Sequence, residues 1–252
     1  NYTKIKYFII SICSISLAAY TKQYYIFFFF FMFLEFFIKL KFKFFLNISF
    51  FTIILAIPGG LFLIANPLLF FGIKQEITNF SSSILISSSI CFFYIFPFII
   101  QYFVNNFNNL NKAFKKLINF KIAITSILIF LICLPFFYYQ GGIGGGVIYK
   151  LFVIILDLRN IFFIFSLLGI YFIFFYARYN IYSIFLSITI LCTFSTGFFI
   201  FQKYFEPMFL VIFLLYFNTN KIGECLKKNN FIIIIYFLSY YLINNYIYFF
   251  GV

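Results

Sequence analysis

Apolar residues run along this chain in long blocks, and polar residues fall in short gaps between them. A membrane-spanning helix needs roughly 20 apolar residues. Nine blocks reach or approach that length: residues 7–20, 24–38, 44–60, 84–104, 122–139, 156–177, 181–201, 207–217 and 231–250. The first two and the eighth are short, and reach full thickness by tilting, by drawing in neighbouring polar residues, or not at all if re-entrant. Backbone N–H and C=O groups in lipid must be satisfied within their own segment, so the blocks are helices rather than strands. The expected fold is all-α, a polytopic transmembrane helical bundle of about nine spans forming one transmembrane domain over 1–252. No repeat of 20–50 residues is visible.

The polar gaps assign an orientation. If the helices alternate, Lys4, Lys6, Lys39, Lys41, Lys43, Lys112, Lys115, Lys116, Lys121, Arg178, Lys221, Lys227 and Lys228 share one face, which is 13 of the 18 cations. The positive-inside bias makes that face cytoplasmic. The opposite, outer face receives residues 21–23, 60–83, 140–160 and 202–207. Three of the five carboxylates, Glu76, Asp157 and Glu206, lie there.

Composition agrees with a lipid-solvated chain. It is 65% hydrophobic and 9% charged, where a soluble domain carries about 25% charged residues. Phe supplies 49 of 252 residues, and Ile, Asn, Lys and Tyr are abundant. AT-rich codons encode these residues, so mutational bias accounts for this low-complexity composition better than a special role for Phe. The net charge of +13 belongs to the topology signal and not to a nucleic-acid surface. Membrane lipid is the expected partner and nucleic acid is not. The chain begins at Asn1 and is expected to be N-terminally truncated. Its five cysteines (13, 91, 133, 192 and 225) show no CxxC or metal spacing and read as packing thiols. It has no histidine, hence no imidazole ligand or imidazole base. No metal site is expected, and no cofactor is assigned.

Four outer segments carry candidate chemistry. "QKYFEP" at 202–207 presents Lys203, Tyr204 and Glu206. Lys203 suits a phosphate as a point charge, while the plainer reading is an interfacial anchor. "TKQYY" at 21–25 presents Lys22 and Gln23 in a tight turn. Lys22 there is either a snorkelling lysine or a ligand for a lipid phosphate. "QGGIGGG" at 140–146 lacks the Lys-Ser/Thr ending of a nucleotide loop. It reads as a flexible loop, or as a flap or a place of close backbone approach. Asp157, followed by Arg159, is either a helix-start feature or a functional carboxylate. Pro58, Gly59, Gly60, Asn66 and Pro67 break the apolar stretch 57–72, which reads as re-entrant or surface-lying.

Some of these stretches resemble GT-C-type glycosyltransferases, polytopic enzymes that take sugars from polyprenyl-phosphate carriers on the outer or lumenal face. Lys22–Gln23–Tyr24–Tyr25 resembles their basic-Gln motif at a helix junction. Lys203–Tyr204–Phe205–Glu206–Pro207 resembles their late outer motif. "IPGGLFLIANPLLFFG" followed by "KQEITN" is similar to an outer loop in bacterial relatives of the terminal α-1,2-glucosyltransferase. Lys stands where that family has Arg, and the acidic first outer loop has no counterpart here, so the resemblance carries over no catalytic residue. It implies sugar transfer from a polyprenyl-phosphate-linked sugar to a surface-glycan acceptor, in a bacterial inner membrane. The mechanism implied is inverting displacement, with a carboxylate base activating the acceptor hydroxyl. Lys22, Gln23, Lys203, Tyr204, Glu206 and Asp157 would bind substrate, with Lys22 and Lys203 on the carrier phosphate. The competing classes are a flippase or secondary transporter, which should carry intramembrane charge along a central path, and a surface-polysaccharide polymerase.

Overall fold

A computed structural model describes residues 2–21, 28, 37–38, 42–65, 80–139, 144–177, 181–192, 200, 202, 209, 213 and 230–250. All regular structure among them is helical. The helices are α1 (Tyr2–Thr21), α2 (Phe42–Ala65), α3 (Phe80–Asn105), α4 (Leu110–Leu117), α5 (Phe120–Cys133), α6 (Gly146–Ile155), α7 (Arg159–Tyr176), α8 (Ile181–Cys192) and α9 (Phe231–Phe250). Three stretches are long and apolar enough to cross a membrane: Phe42–Gly59, Phe80–Asn105 and Arg159–Tyr176. A fourth is obtained if Phe107–Leu117 and Phe120–Phe136, bent by 63°, count as one broken span. Ile9–Ala18, Gly146–Ile155 and Phe231–Ile243 are shorter apolar helices. Of the nine expected spans, 24–38 and 207–217 lie almost wholly outside the described residues. α6 falls in a stretch that the polar pattern assigns to a loop.

α3 is the central helix. In its sequence "SSSILISSSICFFYIFPF", Ser and Ile replace the long side chains of the flanking helices, and 83% of its most apolar 18-residue stretch is buried. Small residues admit close neighbours where no hydrophobic force separates helix from lipid. Gly169 of α7 takes that opening: a Cβ there would lie 1.9 Å from the Ser88 carbonyl oxygen. Phe92 then packs between Phe165 and Phe172, with ring centroids 5.3 and 6.1 Å away. α5, α8 and α9 also pack on α3.

The helix directions follow from contacts at the two ends. Ser82, at the start of α3, bonds both the Tyr138 carbonyl and the Tyr138 N–H beyond α5, at 2.7 and 2.8 Å. Tyr171, late in α7, donates to the Leu117 carbonyl at 2.5 Å and accepts from Asn119 N–H at 2.9 Å. α3 and α7 therefore run parallel, and α5 runs back between their ends. The glycine-rich loop lies at one end of this trio and the Lys112–Lys116 helix at the other.

Backbone breaks are closed by side chains from other helices. Pro97 has no N–H, so the Phe93 carbonyl four residues earlier lacks its helical donor. Tyr236 of α9 donates to it at 3.1 Å. In α2 the helix continues through Pro58 and Gly59 to Ala65, past the end near residue 60 that the prolines and glycines predict. Tyr20 of α1 bridges the turn at this break. Its hydroxyl donates to the Leu55 carbonyl and accepts from Gly59 N–H, standing inside the broken i→i−4 ladder. A Cβ on Gly59 would meet the Tyr20 ring at 2.8 Å.

Candidate functional site

The glycine run is a docked structure. Gly144, Gly145 and Gly146 have φ of 90°, 81° and 77°, a left-handed sequence that costs roughly 1–2 kcal/mol per residue for any residue with a Cβ. All three are buried. The turn aims alternate N–H groups, those of Gly145 and Val147, at Ile200 and Gln202. Gly145 N–H donates to the Ile200 carbonyl at 2.8 Å. Val147 N–H, at the start of α6, donates to Gln202 Oε1 at 2.8 Å. A free helix N-terminus exposes such donors, and the Gln202 amide satisfies one of them. Its other end donates through Nε2 to the Tyr94 hydroxyl of α3 at 2.9 Å. Gln202 is 8% exposed and Tyr94 is fully buried. A Cβ on Gly146 would lie 2.6 Å from Ile90 of α3, so the loop backbone touches the central helix directly.

Two tyrosines complete this clasp. Tyr149 donates to the Tyr139 carbonyl at 3.0 Å, and their rings meet edge to face at 5.1 Å. The Tyr139 hydroxyl is hydrogen-bonded to the Ile200 backbone. Burial pushes the Tyr139 phenol up from its ordinary value, with the Ile200 contact opposing and Tyr149 adding to the rise. Burial also pushes Tyr149 up, and the Arg159 guanidinium partly offsets it. The phenols are thus held neutral and act as hydrogen-bonding struts. The clasp anchors residues 200 and 202 against α3.

Of the substrate-binding residues expected from the sequence, Lys22, Gln23, Lys203, Tyr204 and Glu206 lie outside the described residues. Asp157 is described and exposed, with φ 53°. It follows the π-helical end of α6, where Leu156 N–H bonds the Leu151 carbonyl at 3.0 Å and Leu158 N–H bonds the Phe152 carbonyl at 2.6 Å. Asp is among the few residues that tolerate the left-handed position closing such a helix end. This gives Asp157 a backbone role. Gln202, Tyr94, Tyr139 and Tyr149 were not among the expected site residues. Their one local signal is that Gln202 and the glycine run both sit at polar breaks, and no spacing rule pairs breaks 55 residues apart.

A second polar feature runs along α3. Ser83, Ser87, Tyr94, Gln101 and Asn105 follow at intervals of four and seven residues, which keeps them on one helix face. Gln101 Nε2 donates to Asn105 Oδ1 at 2.9 Å. Ser83 Oγ, Ser87 Oγ and Gln101 Oε1 are buried without a partner among the described residues. On α5 the Ser126 hydroxyl is likewise without a partner among the described residues, whereas Ser16, Thr52 and Ser166 bond the carbonyl four residues earlier, and Ser88 and Ser89 the one three earlier. Among the described residues no three His, Cys, Asp or Glu side chains cluster to hold a metal.

No family model matches the chain, and no curated protein and no solved structure matches it.

Proposed function

We propose that the chain transfers a sugar from a polyprenyl-phosphate carrier to a surface-glycan acceptor at the outer face of a bacterial inner membrane. The observation that supports this reading is the clasp between two stretches singled out separately in the sequence. Gly145 and Val147 of the glycine run hold Ile200 and Gln202, and Lys203, Tyr204 and Glu206 follow directly in the chain. An anchored segment limits where a lysine for the carrier phosphate and a carboxylate beside it can reach, and positioning is a large part of catalysis. The resemblance to GT-C-type enzymes rests on the same residues. In this reading Lys22 and Lys203 take the carrier phosphate, and Glu206 belongs to the same substrate-binding set.

The test uses the complete reading frame in liposomes with a labelled polyprenyl-phosphate sugar. Wild-type transfer that falls at least tenfold in Glu206→Gln and in Lys203→Met, with normal insertion, supports the reading. Unchanged transfer in both variants with normal insertion rejects it.

The polar face of α3 favours a second reading, a carrier for a polar substrate. Buried hydroxyls and an amide oxygen left unpaired at membrane depth mark pathways in such proteins. Uptake of a polar solute by the same liposomes, lost in the double variant Ser83→Val, Ser87→Val, would favour the carrier over the transferase.

A further inference from the structure

We propose that the elbow formed by residues 107–121 is a docking site for anionic phospholipid headgroups. Lys112, Lys115, Lys116 and Lys121 are all exposed on it. No carboxylate occurs between Glu76 and Asp157 in the sequence, so the elbow carries no acidic residue of its own. Among these lysines stand Phe107, Phe114, Ile118 and Phe120, which are 71%, 53%, 68% and 76% exposed. Four such side chains in solvent are unfavourable, whereas at the headgroup boundary they enter the acyl region and the ammonium groups reach outward.

The fold fixes the elbow at that depth. It joins the end of α3, a helix of membrane-spanning length, to the start of α5, and Phe107–Leu117 within it is bent by 63° from Phe120–Phe136. Ala113 and Leu117 are buried, so the remaining faces of α4 carry the lysines and Phe114 outward. The bend is clamped on both sides. Tyr171 bonds Leu117 and Asn119, and the Asn119 side chain caps α5 by accepting from Lys121 and Ile122 N–H at 3.1 and 3.3 Å. A backbone already clamped at Leu117 and Asn119 loses little further freedom when its lysines meet a charged surface. A phosphodiester headgroup with net negative charge answers this array, and a zwitterionic headgroup does so less well.

The chain has no tryptophan, so Phe114→Trp makes a single reporter at the site. The full chain is reconstituted in phosphatidylcholine containing a small fraction of brominated phosphatidylglycerol or, separately, of identically brominated phosphatidylcholine. Stronger quenching by the brominated phosphatidylglycerol is expected, equivalent to a local enrichment of roughly threefold or more. The preference should shrink at high salt and vanish in Lys112→Gln, Lys115→Gln, Lys116→Gln. Phe120→Trp supplies a second reporter should the first disturb folding, and Leu128→Trp, further along α5, should show no preference. Equal quenching by the two lipids at Phe114→Trp and Phe120→Trp overturns the proposal. So does a preference that survives loss of the three lysines.

Discussion

Tyr236 donates its hydroxyl to the Phe93 carbonyl, the one carbonyl of α3 that Pro97 strips of its helical donor. A buried carbonyl without a partner costs about 1–3 kcal/mol. Tyr236→Phe keeps the ring, which packs on Phe93 at 5.3 Å, and should destabilise by about that amount. Pro97→Ala restores a backbone donor. The same Tyr236→Phe change made in a Pro97→Ala background should then cost far less. A double-mutant cycle by thermal unfolding in detergent measures this coupling, and additive effects would dissociate the tyrosine from the proline.

Gly169 sets the spacing of α3 and α7. A methyl group there collides with the Ser88 backbone and not with a side chain that could rotate away. Overpacking of this kind costs about 1–3 kcal/mol. Gly169→Ala should lower stability accordingly and reach the upper part of that range. A neutral effect would mean that the two helices separate easily.

Gln202 holds two groups at once, Val147 N–H and the Tyr94 hydroxyl. Gln202→Leu fills similar space but removes both bonds and takes from the Val147 N–H its side-chain acceptor, a loss of about 1–3 kcal/mol. The loss should appear first as faster amide exchange at Gly145 and Val147, because local opening needs only the clasp to release. Exchange that stays slow there while the whole protein is destabilised would argue against a separate clasp.

The clasp should also respond to alkali. Tyr139 and Tyr149 both have raised values in the folded chain. Each therefore keeps its proton in the folded state while the unfolded chain, with an ordinary value near 10, has begun to lose it. Their contribution to stability is complete below about pH 10 and disappears as pH rises through the folded values. Between about pH 9 and pH 12 the parent should lose more stability than the double variant Tyr139→Phe, Tyr149→Phe. Parallel pH profiles would show that these phenols ionise without opening the loop.

The helices were legible in the chain because lipid solvation imposes one rule on every block. Residues 84–104, 156–177 and 231–250 read directly as α3, α7 and α9 with small shifts at their ends. The glycine run was harder to interpret. Five glycines in seven residues specify what the backbone can do and not what it touches, so a loose loop and a docked turn have the same local sequence. The partner that decides between them, Gln202, lies 55 residues from Val147. The continuation of α2 beyond Pro58 has a similar cause. Pro58 removes the donor to the Ile54 carbonyl, and Tyr20 from α1 bridges the next pair of the ladder, Leu55 and Gly59, so the disturbed turn is held from outside the helix. Asp157 stood out as the only aspartate, and its backbone conformation supplies a reason for its identity that an inventory of charges does not contain.

The tyrosine plugs have a consequence for how the gene can drift. Tyrosine and phenylalanine codons differ at a single base, and the chain already holds 49 phenylalanines against 21 tyrosines. Most tyrosines in lipid can make that exchange with little change in packing, since the ring remains. At Tyr20, Tyr171 and Tyr236 the same one-base step opens a gap in another helix's backbone. The two codons are equally AT-rich, so base composition leaves that exchange open, and at these three positions the lost hydrogen bonds resist it for a reason unrelated to ligand or substrate. An invariant tyrosine in such a chain can mark a repaired helix.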